Sequence, residues 1–389
     1  MRKIAVVTAT RAEYGLLTPL ILRIDEDEAL ELKLIVTGMH LSDKYGYTAH
    51  VIQKDGFLIA HKIPILEDDN TSYGVSATMA NAIKGFADCF RQDRPDMVVI
   101  LGDRTEMLGV AAAAMNERIP IAHIHGGEVT EGAVDDCIRH ALTKMSYLHF
   151  TSTEVYRNRV IQMGETPDRV FNVGALGVEN IRNVHLISKE ELEEFTGASL
   201  DGAYAVVTFH PVTLEENTAE EQVEELCAAM SSRDDIFFFI TAANADAGGE
   251  EVNRLFREYA ENHENAKFIY SFGVQRYLSV VKNASFVLGN SSSGIVEVPV
   301  LGVPTINIGD RQRGRIGAES VIHCEPERGS IMEAMEKAES KEFINSISNM
   351  ENPYEKVGTS RAIVEIIKDF LFNERIELKK KFYNLDKSI

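Results

Sequence analysis

Short aliphatic and β-branched runs alternate with helical-period segments along almost the whole chain, and no other feature narrows the possible folds as much. KIAVVTA (3–9), LKLIVTG (32–38), MVVILG (97–102), PIAHIHGG (120–127), LHFTS (148–152) and VFNVGA (170–175) read as strands buried on both faces. Between them GLLTPLILRID, SATMANAIKGFADCF, TEMLGVAAAAMNE and DDCIRHALTKM space their apolar residues at helical intervals. The alternation predicts an α/β fold with a doubly wound parallel sheet. A second series begins further on: YAVVTFHP (204–211), DIFFFITAAN (235–244), AKFIYSF (266–272), SFVLGN (285–290) and PTINIGD (304–310). Two Rossmann-like domains follow, over residues 1–182 and 183–357. HLISKEELEEFTGASLDG (185–202) reads as a linker with a short helix. A last helix, GTSRAIVEIIKDFLFN (358–373), can pack on either half, and the tail IELKKKFYNLDKSI is expected to be mobile.

Composition removes several function classes. The 389 residues carry 40 Lys+Arg against 60 Asp+Glu, a net charge of −20, which disfavours a nucleic-acid partner because that affinity is carried by clustered cations. Cys89, Cys137, Cys227 and Cys324 show no CxxC spacing, so reduced thiols in a cytoplasmic protein are the expectation. The opening MRKIAVVTATRAEYG turns polar too soon for a signal peptide, and no apolar stretch approaches the ~18 residues of a membrane span. The first strand runs into TATRAEYG, with no glycine where a dinucleotide fingerprint needs one, so an NAD enzyme is disfavoured.

In open α/β sheets ligands sit at the carboxyl ends of strands, and the candidate chemistry of both halves lies there. In the second half GNSSSGIVEVPVLGVPTINIGDRQRGR (289–315) leaves a strand through three serines into a helix start, an anion-binding pattern. Glu297 lies about one turn on, where a carboxylate can take two ribose hydroxyls, and Arg311, Arg313 and Arg315 follow the next strand. The bland alternative is a serine N-cap beside surface arginines, but the sum favours a nucleotide diphosphate. His210 and Asn244 end two more strands, and a histidine cation facing phosphate would stabilise its departure.

In the first half Arg11 follows strand one, Asp103 and Arg104 follow MVVILG, and His123, His125 and Glu128 lie in HIHGGE. Asp135 and Asp136 open the next helix, with Arg139 and His140 at i+4 from them. Helix capping accounts for any one of these acids. Several titratable groups at one sheet mouth are what proton transfer needs. His123 and His125, two apart in a strand, share a face, yet two histidines without a third spaced ligand make a poor metal site. A buried structural His123 beside a functional His125 and Glu128 is favoured, with the two glycines letting the backbone turn close to a ligand.

The ordered set TATRAEYG, VTGMHLS, LGDRTE, HIHGGEVTEGAVDDCIRHALTKMS, FHPVT, GNSSSGIVEVP and NIGDRQRGR resembles the hydrolysing UDP-N-acetylglucosamine 2-epimerases, whose bacterial members feed sialic acid synthesis. The resemblance runs from residue 3 to about residue 375. It implies the two-domain glycosyltransferase B architecture, with the ligand in the interdomain cleft, UDP held mainly by the second domain and the C-terminal helix (358–375) returning to the first. By motif, Arg11 and His210 would contact the diphosphate region, Ser291 and Ser292 the phosphates, and Glu297 the ribose. Asn244 and Arg311 would line the nucleotide-sugar pocket, with Arg104 among the binding residues. Asp103 and Asp135 would be acid/base carboxylates. Many relatives read HIEGGE with a catalytic glutamate where this chain has His125, so His125 or Glu128 is the candidate for returning a proton.

The implied reaction turns UDP-N-acetylglucosamine and water into N-acetylmannosamine and UDP through a glycal, with no metal or other cofactor. The partners implied are the UDP-sugar and further copies of the chain, as a dimer or tetramer, with neither nucleic acid nor membrane. The same chemistry on UDP-diacetylbacillosamine, as used for legionaminic acid, is the nearest alternative. A non-hydrolysing epimerase, a retaining glycosyltransferase and a catalytically idle UDP-sugar sensor are the others.

Overall fold

The computed structural model describes residues 1–69, 71–129, 134–211, 218–243, 249–373 and 376–385. The chain forms two compact units. The first takes Met1–Glu128, Val134–Asn180 and the C-terminal segment from Lys356, and the second is built on Ile181–Glu355.

In the first unit seven strands form one sheet: β1 (Arg2–Thr8), β2 (Leu30–Thr37), β3 (Ile59–Ile63), β4 (Met97–Leu101), β5 (Ile121–Ile124), β6 (Leu148–Thr151) and β7 (Val170–Asn172). Their order is β3-β2-β1-β4-β5-β6-β7, and every pair is parallel. Successive residues of β1 serve opposite faces. Ile4 and Val6 join a core with Leu17, Leu34 and Val99, whereas Ala5 and Val7 join one with Phe86, Val98 and Val110. Burial on both faces explains the unbroken apolar runs, each such side chain contributing roughly 1.5–3 kcal/mol. The final helix, Thr359–Phe372, lays Ile363, Ile367 and Phe370 into the first of these cores. Lys368 pairs with Asp27 at 2.6 Å, and Arg23 donates to Ser360 at 2.8 Å.

The second unit repeats the plan with β8 (Tyr204–Thr208), β9 (Phe237–Thr241), β10 (Ala266–Ile269), β11 (Phe286–Gly289), β12 (Thr305–Ile308) and β13 (Val321–Cys324). The order is β10-β9-β8-β11-β12-β13, again all parallel. The polar stretch after residue 185 holds a short helix, Lys189–Thr196, opened by a capping box between Ser188 and Glu191. Its Leu192 is buried with Tyr204, Phe239 and Phe272, so it belongs to this unit's core.

Strand order reverses between β1 and β4 in one sheet and between β8 and β11 in the other. Connections on either side of such a reversal leave in opposite directions and open a crevice at the strand ends.

The described part of the tail, residues 376–385, makes specific contacts with the first unit. Lys380 reaches Glu165 at 2.7 Å, Phe382 lies against Gly164, and the Tyr383 amide donates to the Gly164 carbonyl at 2.9 Å. Ion-pair, hydrogen-bond and ring contacts together hold this segment against the first unit.

Candidate active site

At the first unit's switch point, the Arg11–Asp25 helix begins just past β1. Thr10 caps it, and Glu13 Oε2 accepts from the amides of Ala9 (2.9 Å) and Thr10 (3.0 Å), completing a capping box. Burial first raises the Glu13 carboxyl to about 7, although the Arg104 charge opposes this. Arg11 itself is exposed at the helix start. Across the switch point Arg104 donates to Glu106 from Nε (3.2 Å) and Nη2 (3.1 Å). Its guanidinium is held charged against the cost of burial by Glu106, Glu13 and Asp135.

Arg139 organises the acids. Its side chain is 3% exposed and pairs with Asp103, while Nη1 donates to the Glu128 carbonyl at 2.9 Å and to Asp136 at 3.3 Å. One planar guanidinium thus ties the ends of β4 and β5 to the Val134–Met145 helix, a task that suits a rigid fork of donors. Asp135 stands in the first turn of that helix, and its carboxyl is raised, by burial first and then by the charge of Asp103. Two carboxylates whose surroundings differ in this way are a mark of divided acid and base roles.

HIHGGE resolves residue by residue. His123 is fully buried at the end of β5, with Nε2 2.7 Å from the Gly102 carbonyl and Nδ1 3.3 Å from Thr143. Burial pushes it down to about 3, so it is a neutral, structural histidine. The expectation that His123 and His125 share a strand face fails, because β5 ends at Ile124 and His125 turns off at φ +65°. His125 Nδ1 lies 3.9 Å from Glu128 Oε1, and Ser152 donates to that same oxygen at 2.9 Å. Gly127 is required twice over, by φ +81° and by the Tyr156 carbonyl, which would stand 2.5 Å from an added Cβ. Among the described residues no three His, Cys, Asp or Glu side chains converge as a metal site would need.

In the second unit the switch point is bridged by Asn290. Its Oδ1 accepts from the His210 amide at 2.7 Å and its Nδ2 donates to the His210 carbonyl at 2.8 Å, joining the ends of β8 and β11. Its own carbonyl accepts from Arg311 (3.0 Å) and Gln312 (2.9 Å). Burial, and then the charge of Arg311, lower His210 to about 3. In these surroundings the imidazole favours its neutral form, and a facing phosphate would favour the cation. Past β11, Ser291 caps the Ser292–Val296 helix by accepting from the Ser293 amide at 3.4 Å. Ser292 is exposed. Ser293 donates to Glu297 at 2.6 Å, and the Glu297 carboxyl is raised by its packing, as is the neighbouring Tyr277 hydroxyl, to about 12. Arg313 spends its charge on exposed Asp310 at 3.2 Å. Asn244 lies outside the described residues.

Arg139, Glu13, Asn290 and Gln312 were not singled out as site residues from the sequence. For Glu13 the signal was present in T-x-x-E at positions 10–13. For Arg139 it was not, since its main partner lies 36 positions upstream.

Two parallel, doubly wound units with polar clusters at both switch points place the chain in the glycosyltransferase B-like fold class. The UDP-N-acetylglucosamine 2-epimerase family model matches residues 22–368, and the chain belongs to that family. Polysialic acid biosynthesis protein P7 of Escherichia coli is 40% identical over 386 residues, covering 99% of this chain and 98% of the relative. The hydrolysing GDP/UDP-N,N'-diacetylbacillosamine 2-epimerase of Campylobacter jejuni is 43% identical over 343 residues, 88% of each chain. In fold, the chain resembles the crystal structure of UDP-N-acetylglucosamine 2-epimerase from Neisseria meningitidis bound to UDP-N-acetylglucosamine, with a TM-score of 0.79 at 20% identity over 94% of this chain and 99% of that one.

Proposed function

We propose that this enzyme is a hydrolysing 2-epimerase that converts UDP-N-acetylglucosamine and water into N-acetylmannosamine and UDP, for sialic acid synthesis. The observation that carries the reading is the Arg139 clamp, which gathers Asp103, the Glu128 backbone and the Asp135–Asp136 turn at one sheet mouth. Diphosphate and ribose chemistry fall to the second unit, through His210, Ser291, Ser292, Glu297 and Arg311, and Arg11 and Arg104 are the cations at the first unit's own switch point.

The hydrogen on sugar carbon 2 is barely acidic in the ground state. As the bond from carbon 1 to the diphosphate oxygen breaks, cationic character at carbon 1 acidifies it. Donors aimed at the departing phosphate stabilise charge that develops only in the transition state, and one of them typically supplies ~3–4 kcal/mol. Asp135 is the base we assign, because its raised carboxyl gives it more proton affinity than an ordinary aspartate. Asp103, occupied by Arg139, holds the frame. The products of this step are UDP and a glycal. Water then adds hydroxyl to carbon 1, and a proton reaches carbon 2 on the opposite face from His125 or Glu128, which stand 3.9 Å apart. Atoms and charge balance without an oxidant or reductant.

The 43% identity to a diacetylbacillosamine epimerase favours a second reading, the same elimination and hydration on UDP-diacetylbacillosamine. Incubation with each UDP-sugar in deuterated water distinguishes them by NMR. The expected result is free N-acetylmannosamine carrying deuterium at carbon 2. Free sugar from the other substrate alone selects the second reading, and UDP-N-acetylmannosamine as product, or no turnover of either, refutes both.

A further inference from the structure

The C-terminal tail meets the acid cluster's own helix at its opposite end. Val134–Met145 carries Asp135, Asp136 and Arg139 in its first turns. At its other end the Lys380 ammonium donates to the carbonyls of Lys144 (3.0 Å) and Ser146 (2.6 Å). The last carbonyls of a helix have no partner within it, and a cation placed there also meets the negative end of the helix dipole. The same ammonium donates to Glu165 at 2.7 Å. Glu165 is 3% exposed and also takes Lys144 at 2.5 Å and His149 Nε2 at 3.1 Å. Glu165 lies just past the Glu154–Gln162 helix, so Lys380 ties that region to the end of the Val134–Met145 helix. Phe382 and the Tyr383 amide hold the tail on Gly164, whose φ of +92° and contact with the Phe382 ring leave no room for a Cβ.

We propose that Lys380 is a positioning residue for the reaction, a cap from the C-terminal tail that fixes the pose of the helix bearing Asp135 and Arg139. The inference rests on the roles assigned to those two residues above. A twelve-residue helix is a rod about 18 Å long, so a slide or tilt released at one end is delivered to the other. Misplacement of about 1 Å at a reacting group can cost a hundredfold in rate. Burial pushes the Lys380 ammonium down even as Glu165 is held ionised. Glu165 keeps Lys144 and His149 when Lys380 is removed, so the loss falls on the two backbone carbonyls at the helix end, which lose their shared donor.

The test compares Lys380→Met, Lys380→Arg and Phe382→Ala in the full chain, well below each variant's melting temperature. For Lys380→Met the expected kcat is about 10- to 100-fold lower, with KM and UDP affinity within about twofold. Lys380→Arg, which can still donate to both carbonyls and to Glu165, restores most of the rate. Phe382→Ala keeps Lys380 and Glu165 but removes the ring that lies 5.1 Å from the Lys144 ammonium; it loosens the tail, lowers kcat less, and decides the matter if Lys380→Met does not fold. Amide hydrogen exchange across residues 134–145 is expected to quicken in parallel. A folded Lys380→Met with unchanged kcat and unchanged exchange overturns the proposal, as does a loss of rate matched by an equal loss of UDP affinity. If the parent enzyme turns over neither UDP-sugar, the functional reading fails on its own, while the exchange measurement still decides whether the tail holds the helix.

Discussion

Asp103 and Asp135 are the same residue type at neighbouring strand and helix ends, and their surroundings divide them. Asp103 is spent on Arg139, whereas partial burial and the Asp103 charge raise the Asp135 carboxyl. Asp135→Asn is expected to lower kcat by about 10²–10⁴-fold while UDP affinity, measured by calorimetry, stays within a few-fold. Loss of UDP binding would instead place Asp135 in nucleotide recognition or in the fold. Asp103→Asn should lower the melting temperature more than Asp135→Asn, because it leaves the buried Arg139 without its main counter-charge. His125→Glu makes the HIEGGE pattern, and kcat is expected to remain within about tenfold of the parent. A folded but inactive variant refutes the interchange. The residue types at these positions were legible from strand ends alone. The division of labour was not, because it depends on which carboxylate meets Arg139, and that pairing joins residues 36 positions apart.

Central strands announce themselves because both faces are covered. β4 and β11 carry no polar side chain, β1 holds IAVV between Lys3 and Thr8, β8 holds YAVV before Thr208, and each was legible. The two strands the pattern did not reveal, β3 (IAHKI) and β13 (VIHC), are both sheet edges. An edge strand needs cover on fewer sides and tolerates the lysine and histidine seen there, so it reads as loop. The tail misleads for a related reason. IELKKKFYNLDKSI has the composition of a solvated end, and only the buried Glu165 carboxylate and the nearby helix-end carbonyls make one of its lysines structural. Burial opposes the Glu165 charge, but His149, Lys144 and Lys380 together hold its carboxyl down at about 2, against an ordinary value of 4.5. A depressed carboxylate contributes its full stability above the unfolded value and loses it as pH falls through the folded one. Acid unfolding followed by circular dichroism should therefore lose stability between about pH 4.5 and pH 2. In Glu165→Gln that slope should flatten, and an unchanged slope would mean that the carboxylate is not so held.

For the whole molecule, two sheets of one plan carry different chemistry: several paired cations and carboxylates at the first switch point, and hydroxyl, amide and imidazole groups with Arg311 and Glu297 at the second. UDP at about a hundred times its dissociation constant should stabilise the folded protein by about 2.7 kcal/mol, seen as a rise of several degrees in the melting temperature. Glu297→Ala should erase that rise and Asp135→Asn should keep it. If both keep it, Glu297 has no part in holding the nucleotide. The sequence alone determined the α/β class, the two series of strands and the chemical types at their ends, because periodicity and strand-end position are local properties. Only the tertiary structure decided which groups His123 bonds, that Arg139 is the hub, that His210 is buried beside Arg311 and that the tail, as far as residue 385, lies against Gly164 and Glu165. Each of those depends on burial and on partners distant in the chain, and burial and long-range pairing exist only once the chain has folded.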